Sequence, residues 1–391
     1  MQGMKIVPRL LAARLRALLS RFPAVLLYGP RQCGKSTLAR TVLHNWTFLD
    51  LERPLDMASL TADLEGFLQA HPRHLVLDEA QRLPALFPAL RSAIDRGRGN
   101  SRFLLTGSAG PALIANASET LAGRIGILEL TPFLPSELPR PPLAKDRWFW
   151  GGYPPVLSRR THAARHDWLD SYVSTYLERD LPSLGVRLPA PRLRALWTML
   201  THVHGNLLNV ADLARSLTVS SHTVANDLDV LEATFMIRRL PPFFANVQKR
   251  LSKSPKLYVR DSGLLHFLAG LRSPVQLTTW PRRGASFEGL VIEELCAWAA
   301  RRFVRPGVFY WRTQAGAEVD LLLVDGRRII PIEIKLGASF DPRSIAGLRQ
   351  CMADLQLARG YVVTTGDERR AIGRGIEVVP WRDVLQGKLE Q

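Results

Sequence analysis

The stretch AVLLYGPRQCGKSTLA, residues 24–39, decides how this chain starts to fold. The run AVLLY reads as a buried strand, and TLARTVL from Thr37 continues as a helix. Between them stands Gly29-x4-Gly34-Lys35-Ser36. A glycine-bounded loop between strand and helix lets backbone N–H groups close around phosphate oxygens at the positive end of the helix. Gly29, Pro30, Arg31, Gln32, Cys33, Gly34, Lys35, Ser36 and Thr37 are therefore candidate nucleotide-binding residues. Lys35 would reach the β- and γ-phosphates and the Ser36 hydroxyl would ligate Mg2+, so ATP and Mg2+ are the expected cofactors.

Working outward, TFLDL, HLVLDE, RFLLTG and IGILEL read as further buried strands of a parallel α/β sheet. Asp78 ends one of them, where it would hold Mg2+ through water, and Glu79 follows, placed to polarise an attacking water. The strand FLLTGSA ends in Thr106 and Ser108. Ser108 there either senses the γ-phosphate and orients water or caps the next helix. Arg124, just before IGILEL, is either a surface arginine or a finger that reaches a neighbouring subunit's phosphate in a ring-forming ATPase. The second alternative makes a homo-oligomer, a ring in one version, the expected assembly.

The whole chain has 391 residues, 46% of them hydrophobic, room for two or three domains. Its net charge of +17 points to a polyanionic partner, nucleic acid before membrane, or else reflects an arginine-biased composition. Cys33, Cys296 and Cys351 stand far apart, which excludes a disulfide framework and a zinc ribbon. The N-terminal MKIVPRLLAARLRALLSRF is broken by Arg9, Arg14, Arg16 and Arg21, and no later run has the length of a bilayer span. A soluble cytoplasmic protein is the expectation.

A proline-rich break, TPFLPSELPRPPL, ends the first pattern. Domains are expected at 1–140, 141–275 and 276–391. In the middle one, NVADLARSLTVSSHTVANDLDVLEATFMIRRL reads as two helices and a short turn. Val210, Leu213, Ala214 and Leu217 form one apolar stripe, Val224, Leu228 and Leu231 a second, with Ser220 or Ser221 as cap: a helix-turn-helix with a strand wing, a winged helix. The second helix carries Asp227, Asp229 and Glu232 and no cation, poor chemistry for a DNA groove. Residues 238–260 hold seven basic residues and no acidic one. Arg238, Arg239, Lys249, Arg250, Lys253, Lys256 and Arg260 are thus candidates for non-specific phosphate contact, or form a solvated loop.

The third segment holds EVDLLLVDGRRIIPIEIKLG, residues 318–337. A two-residue Asp325-Gly326 turn of type I′ would pair 324 with 327. Val319, Leu321, Leu323, Ile330, Ile332 and Ile334 would then share one face, and Glu318, Asp320, Glu333 and Lys335 the other. In that register Asp320 and Glu333 are diagonal neighbours, roughly 7–8 Å apart at Cα, near enough to share one metal. Lys335 would orient water or stabilise a developing phosphorane. In the plain alternative, the charges merely solvate the outer face of a hairpin.

Asp on one strand and Glu-x-Lys on the next resembles the restriction-endonuclease-like nuclease fold. That fold implies a preceding helix with a further glutamate. SFEGLVIEELCAW offers Glu288, Glu293 and Glu294, of which Glu288 fits best, and Val319 stands where proline is common. The chain as a whole resembles a large prokaryotic family of AAA-type ATP-binding proteins whose C-terminal part is a domain of unknown function. The stretches that carry the resemblance include LLYGPRQCGKSTLA, LVLDEAQRLP, GGYPPVL, KLYVRDSGLLHFLAG, FEGLVIEEL and EVDLLL…PIEIK. The resemblance implies the ATPase module; taken with the basic charge and the nuclease-like hairpin, the favoured reading is a Mg2+-dependent ATPase that binds DNA, largely without sequence preference, and couples hydrolysis to remodelling or processing of DNA, branched or broken DNA included. The alternative is a nucleotide-gated switch for a protein partner, with an inactive nuclease-like domain.

Overall fold

Short apolar runs in the first 130 residues become five strands: β1 (Ala24–Gly29), β2 (Thr47–Asp50), β3 (Leu75–Asp78), β4 (Phe103–Ser108) and β5 (Ile125–Glu129). All neighbours pair in parallel, in the order β2-β3-β4-β1-β5. The strands are Leu- and Val-rich because helices cover both faces of the sheet. Leu26, Leu75, Leu77, Phe103 and Leu105 pack with Phe87 and Leu90 of the helix Leu86–Arg96 on one side. Val25, Leu27, Val76 and Leu104 pack with Leu15 and Leu38, of the helices Ala12–Leu19 and Lys35–Val42, on the other. Each such buried side chain contributes about 2 kcal/mol. The two edge strands depart from the expected full burial: β2 is partly exposed throughout, and Ile127 of β5 faces solvent. With β4 between β1 and β3, the C-terminal ends of these three strands lie side by side.

The computed structural model describes residues 7–97, 99–108, 117, 119–138, 143–186, 188–244, 254–373 and 375–390. The chain divides into two units. One comprises Met1–Phe133, Tyr153–Ser158 and Ala233–Met236; the other comprises Leu134–Gly152, Arg159–Glu232 and Ile237–Gln391. Among the described residues, no helix is long and apolar enough to cross a membrane.

In the second unit, helices Val210–Leu217 and Ser221–Ala233 form where the two apolar stripes stand. Asn209 caps the first through Ala211 and Asp212 N–H. The chain leaves that helix through Thr218 at φ 57°, and Ser220 Oγ accepts from Thr223 N–H at 3.0 Å. β6 (Asn206–Leu207), β7 (Ile237–Leu240) and β8 (Lys256–Val259) make an antiparallel sheet with β8 in the centre.

The last strands, β9 (Gly307–Arg312), β10 (Glu318–Asp325), β11 (Arg328–Lys335), β12 (Gly360–Thr364), β13 (Arg370–Ala371) and β14 (Ile376–Pro380), form a mixed sheet ordered β13-β14-β12-β11-β10-β9. The helix Arg283–Arg302 packs its Phe287, Val291 and Leu295 on Leu321, Leu323, Ile330, Ile332 and Ile334. The helix Ala346–Asp354 packs Leu348 and Cys351 against Leu322, Val319 and Val362. Both faces are therefore covered, and the hairpin has no solvated outer face.

The hairpin register differs from the expected one. Asp325 pairs with Arg328 and Leu323 with Ile330, so the turn is Gly326-Arg327, shifted by one residue along the chain. Gly326 takes φ 59°, which suits glycine at the first central position of a II′ turn. Pairing moves by two positions, so facing within the hairpin is mostly kept. The exception is Val319. The β9–β10 register shifts between Val319 and Leu322, and this irregularity sends Val319 to the face of Leu322.

Candidate functional site

The loop after β1 is shaped by close backbone approach. A Cβ on Gly29 would stand 2.1 Å from the Leu130 carbonyl oxygen, so no side chain fits there. Gln32 at φ 59° and Gly34 at φ 104° curl the loop into the helix Lys35–Val42. Lys35 is buried, and its ammonium donates to the carbonyls of Gly29 at 3.1 Å and Pro30 at 3.0 Å, which holds it across the loop. Ser36 is half-buried in the first turn of the helix, and Thr37 beside it is exposed. Arg31 pairs with Glu52 at 3.2 Å. Cys33 is buried, its thiol pushed up by burial.

Sequence reasoning missed Arg9. Its guanidinium donates to the Cys33 carbonyl at 2.9 Å and the Thr131 carbonyl at 2.6 Å, and lies 4.6 Å from the Phe133 ring centroid. It ties the phosphate loop to the segment after β5.

The end of β4 links the other acidic groups. The Thr106 hydroxyl donates to Asp78 Oδ1, which also accepts the Glu79 N–H at 3.2 Å. Glu79 has φ 55°, a left-handed conformation that turns it out of the strand line. Its carboxylate faces Ser108, with Oε2 3.4 Å from the Ser108 N–H and Oε1 3.5 Å from its hydroxyl, and it also accepts from Gln81. A buried carboxylate and a helix-start hydroxyl are oxygen donors of the kind that suit Mg2+ beside phosphates. Asp78 and Ser36 fit that ion.

Arg124 forks onto Asp95, with Nε–Oδ1 2.7 Å and Nη2–Oδ2 3.1 Å. This pair holds the Asp95 carboxyl below its usual range. β5 runs parallel to β1, so Arg124 sits at the opposite end of the sheet from the loop, about 17 Å away for a strand of this length. It cannot serve its own domain's phosphates.

In the second unit, β8, β10, β11 and the helix Arg283–Arg302 bring titratable groups together. Of the three glutamates on that helix only Glu288 joins the cluster. Glu293 is held by Arg238 at 2.6 Å and Arg260 at 2.8 Å, and Glu294 accepts from Ser136. Lys256 Nζ lies 3.1 Å from Glu288 Oε1 and 3.4 Å from Asp320 Oδ1, and pairs with Glu318. Tyr258, two residues along β8, donates to Glu288. Arg312 takes the other Glu318 oxygen at 2.6 Å.

Asp320 Oδ2 accepts the Ile334 N–H at 2.8 Å, and Lys335 bonds Glu333 Oε1 at 2.6 Å. Glu333 Oε2 is buried without a hydrogen-bond donor. Burial first, then the charge of Asp320, pushes Glu288 up to about 7 and Glu333 up to about 8. Lys256 is held charged by the carboxylates around it, which outweigh its own burial. Among the described residues, no three His, Cys, Asp or Glu side chains converge in a way that could hold a metal ion. Three of the four cluster carboxylates converge on an ammonium, so the cluster does not fit a divalent ion.

The expected phosphate contacts are corrected accordingly. Lys256 is 2% exposed and cannot meet DNA. Arg238 and Arg260 are engaged by the buried Glu293, and Arg239 by the exposed Asp229 (2.7 Å) and the half-buried Glu232, so each of these cations already has an acidic partner within its own unit. Asp227 is fully buried on Arg192 at 3.1 Å. Lys249, Arg250 and Lys253 lie outside the described residues.

An all-parallel sheet with a phosphate loop after β1, and an Asp-Glu pair two strands away, defines a P-loop nucleotide-binding domain of the ATPase class. Comparison with known proteins agrees. Residues 21–138 match the family described as AAA domain, residues 142–275 a domain of unknown function (DUF8612), and residues 283–384 another (DUF4143). Two uncharacterized mycobacterial proteins, Rv2008c of Mycobacterium tuberculosis and Mb2031c of Mycobacterium bovis, are each 43% identical over 378 residues, 96% of this chain and 83% of theirs. The chain belongs to their family, which joins an AAA-type ATPase domain to a C-terminal domain of unknown function. Among solved structures, the Walker-type ATPase PABY2304 of Pyrococcus abyssi is 16% identical with a TM-score of 0.46, over 67% of this chain and 96% of that one. Protein VC1899 from Vibrio cholerae is 12% identical with a TM-score of 0.23, over 97% and 93%. Likeness this slight carries no argument about function.

Proposed function

We propose that this chain is a Mg2+-dependent ATP hydrolase whose turnover drives its second unit on DNA. The observation that carries the hydrolase reading is Glu79, turned out of β3 at φ 55° and facing Ser108 at the end of the neighbouring strand. In this reading Lys35 leaves the loop carbonyls for the β- and γ-phosphates, and Glu79 orients water, with Ser108 holding its carboxylate. Ser36 and Asp78 would hold Mg2+, which would offset phosphate charge when bound. Arg124 acts only in trans, on the nucleotide of a second copy, after releasing Asp95. The helix pair with its three-stranded sheet is a winged helix, and the six-stranded sheet has the restriction-endonuclease-like arrangement.

The net charge of +17 supports DNA as the target. A second reading, a nucleotide-gated switch for a protein partner, is favoured by the internal pairing of Arg238, Arg239 and Lys256. ATP turnover with single-stranded, duplex and branched DNA separates the two. Stimulation that falls steeply with salt supports DNA; unchanged turnover with every form supports the switch. Glu79→Gln is expected to abolish turnover with nucleotide still bound, and turnover at the wild-type rate would overturn the hydrolase reading.

A further inference from the structure

We propose that Lys256 is the resident cation of the acidic cluster, taking the place a divalent metal would have in a nuclease of this fold, so that the second unit binds its partner without cutting it. This rests on the nuclease-like reading of the six-stranded sheet. The Lys256 ammonium lies among Glu288, Asp320 and Glu318, and so occupies oxygens of two of the three carboxylates, Glu288 and Asp320, expected to hold a metal with Glu333. A divalent ion takes oxygen ligands at about 2.0–2.6 Å, which cannot be met while an ammonium occupies the same group of oxygens.

Neither can the lysine easily withdraw. β8 is the central strand of its sheet, bonded on one side to β6 and on the other to β7, so its backbone is fixed. The side chain is buried, with Nζ 5.9 Å from the Tyr310 ring centroid, and Tyr258 on the same strand holds Glu288 in place. Moving Lys256 out would take the paired ammonium from Glu288 and Asp320 and leave Glu318 with Arg312 alone, at a large cost for the two deeper carboxylates.

Charge balance points the same way. Lys256, Lys335 and Arg312 face Glu288, Glu318, Asp320 and Glu333. One proton balances the remaining charge, and the donor-less Glu333 Oε2 is a natural place for it. No metal is required to make the cluster neutral.

The test is a titration of the nucleotide-free, full chain with Mn2+, counting unbound metal by its paramagnetic resonance signal. Wild type is expected to show no Mn2+ site sensitive to Asp320→Asn. Lys256→Met is expected to gain one bound Mn2+ per chain, lost again when Asp320→Asn is added. A wild-type site that Asp320→Asn abolishes overturns the proposal, as does a folded Lys256→Met that gains no Mn2+. Should Lys256→Met fail to fold, the wild-type and Asp320→Asn titrations still decide the outcome, and Lys256→Gln serves as the second variant. Nucleotide and DNA are absent, so this result and that of the turnover assay fail independently.

Discussion

Arg9 lies 24 residues before the loop carbonyl it grips, and 122 before its second partner. Removing it leaves the Cys33 carbonyl buried without that donor, which costs about 1–3 kcal/mol. Arg9→Ala is therefore expected to weaken ATP and ADP binding by roughly tenfold, the equivalent of about 1.4 kcal/mol, and to lower the thermal midpoint. Arg9→Lys should recover little, since a single ammonium lacks the planar fork that spans both carbonyls. Nucleotide affinity unchanged in Arg9→Ala would show that the loop keeps its shape without the clamp. Thr106 gives a second residue-scale expectation. Thr106→Val keeps the shape but removes the hydroxyl that orients Asp78, so turnover should fall while ATP affinity, set mainly by the loop, changes less. A loss of affinity as large as the loss of turnover would count against that role.

At the scale of elements, Glu293 holds the middle sheet to the long helix of the C-terminal sheet, because Arg238 comes from β7 and Arg260 follows β8. The two guanidiniums outweigh burial and hold its carboxyl down to about 2. Glu293→Ala strands two half-buried cations and is expected to destabilise the second unit by about 3 kcal/mol, readable as a lower denaturant midpoint at unchanged slope. A change within experimental error would mean that both arginines find new partners.

Elements also show where sequence reading succeeds. The strand–loop–helix of residues 24–39 and the helix pair around Thr218 are written in local period, and the structure has them; the hairpin keeps most of its facing, although its turn is not the expected Asp325-Gly326 but lies one residue on. What was not legible depends on distant partners. Lys256 meets Glu288 and Asp320, 32 and 64 residues on, so a count of basic residues read it as surface charge. The alternation in β8 was the available clue, since it puts Lys256 and Tyr258 on one face of a strand whose four residues are all buried. Val319 escaped for a related reason: an irregularity in pairing with β9 has no signature in the hairpin's own sequence.

At the scale of the whole molecule, the second unit holds several buried groups with strongly shifted pKa values, so its stability should carry a distinctive pH profile. His204 and His266 are buried, with a backbone N–H donating to His204 and Ser286 beside His266. Burial pushes them down to about 3 and about 4 from an ordinary 6.5. Their stabilising contribution is full above pH 6.5 and lost as pH falls, because the unfolded chain binds the protons that the fold refuses. Glu293 works in the same direction at lower pH, contributing above 4.5 and losing its share as pH falls towards 2. Glu288 and Glu333 act in reverse: their raised values mean that the fold holds protons the unfolded chain releases, so stability is lost as pH rises from 4.5 through about 7 and 8. Between 4.5 and 6.5 the histidines and the two glutamates oppose each other and the profile should be flat. Above 6.5 the glutamates alone act and stability should decline until about pH 8; below 4.5 the histidines and Glu293 act together and it should fall faster. Denaturant midpoints of the second unit's transition from pH 3 to 9 test this, with Glu333→Gln expected to flatten the alkaline limb by removing one of its two titrating groups. A midpoint that climbs from pH 5 to 6.5 and then stays level to pH 8 would show that the cluster carboxylates are ionised throughout.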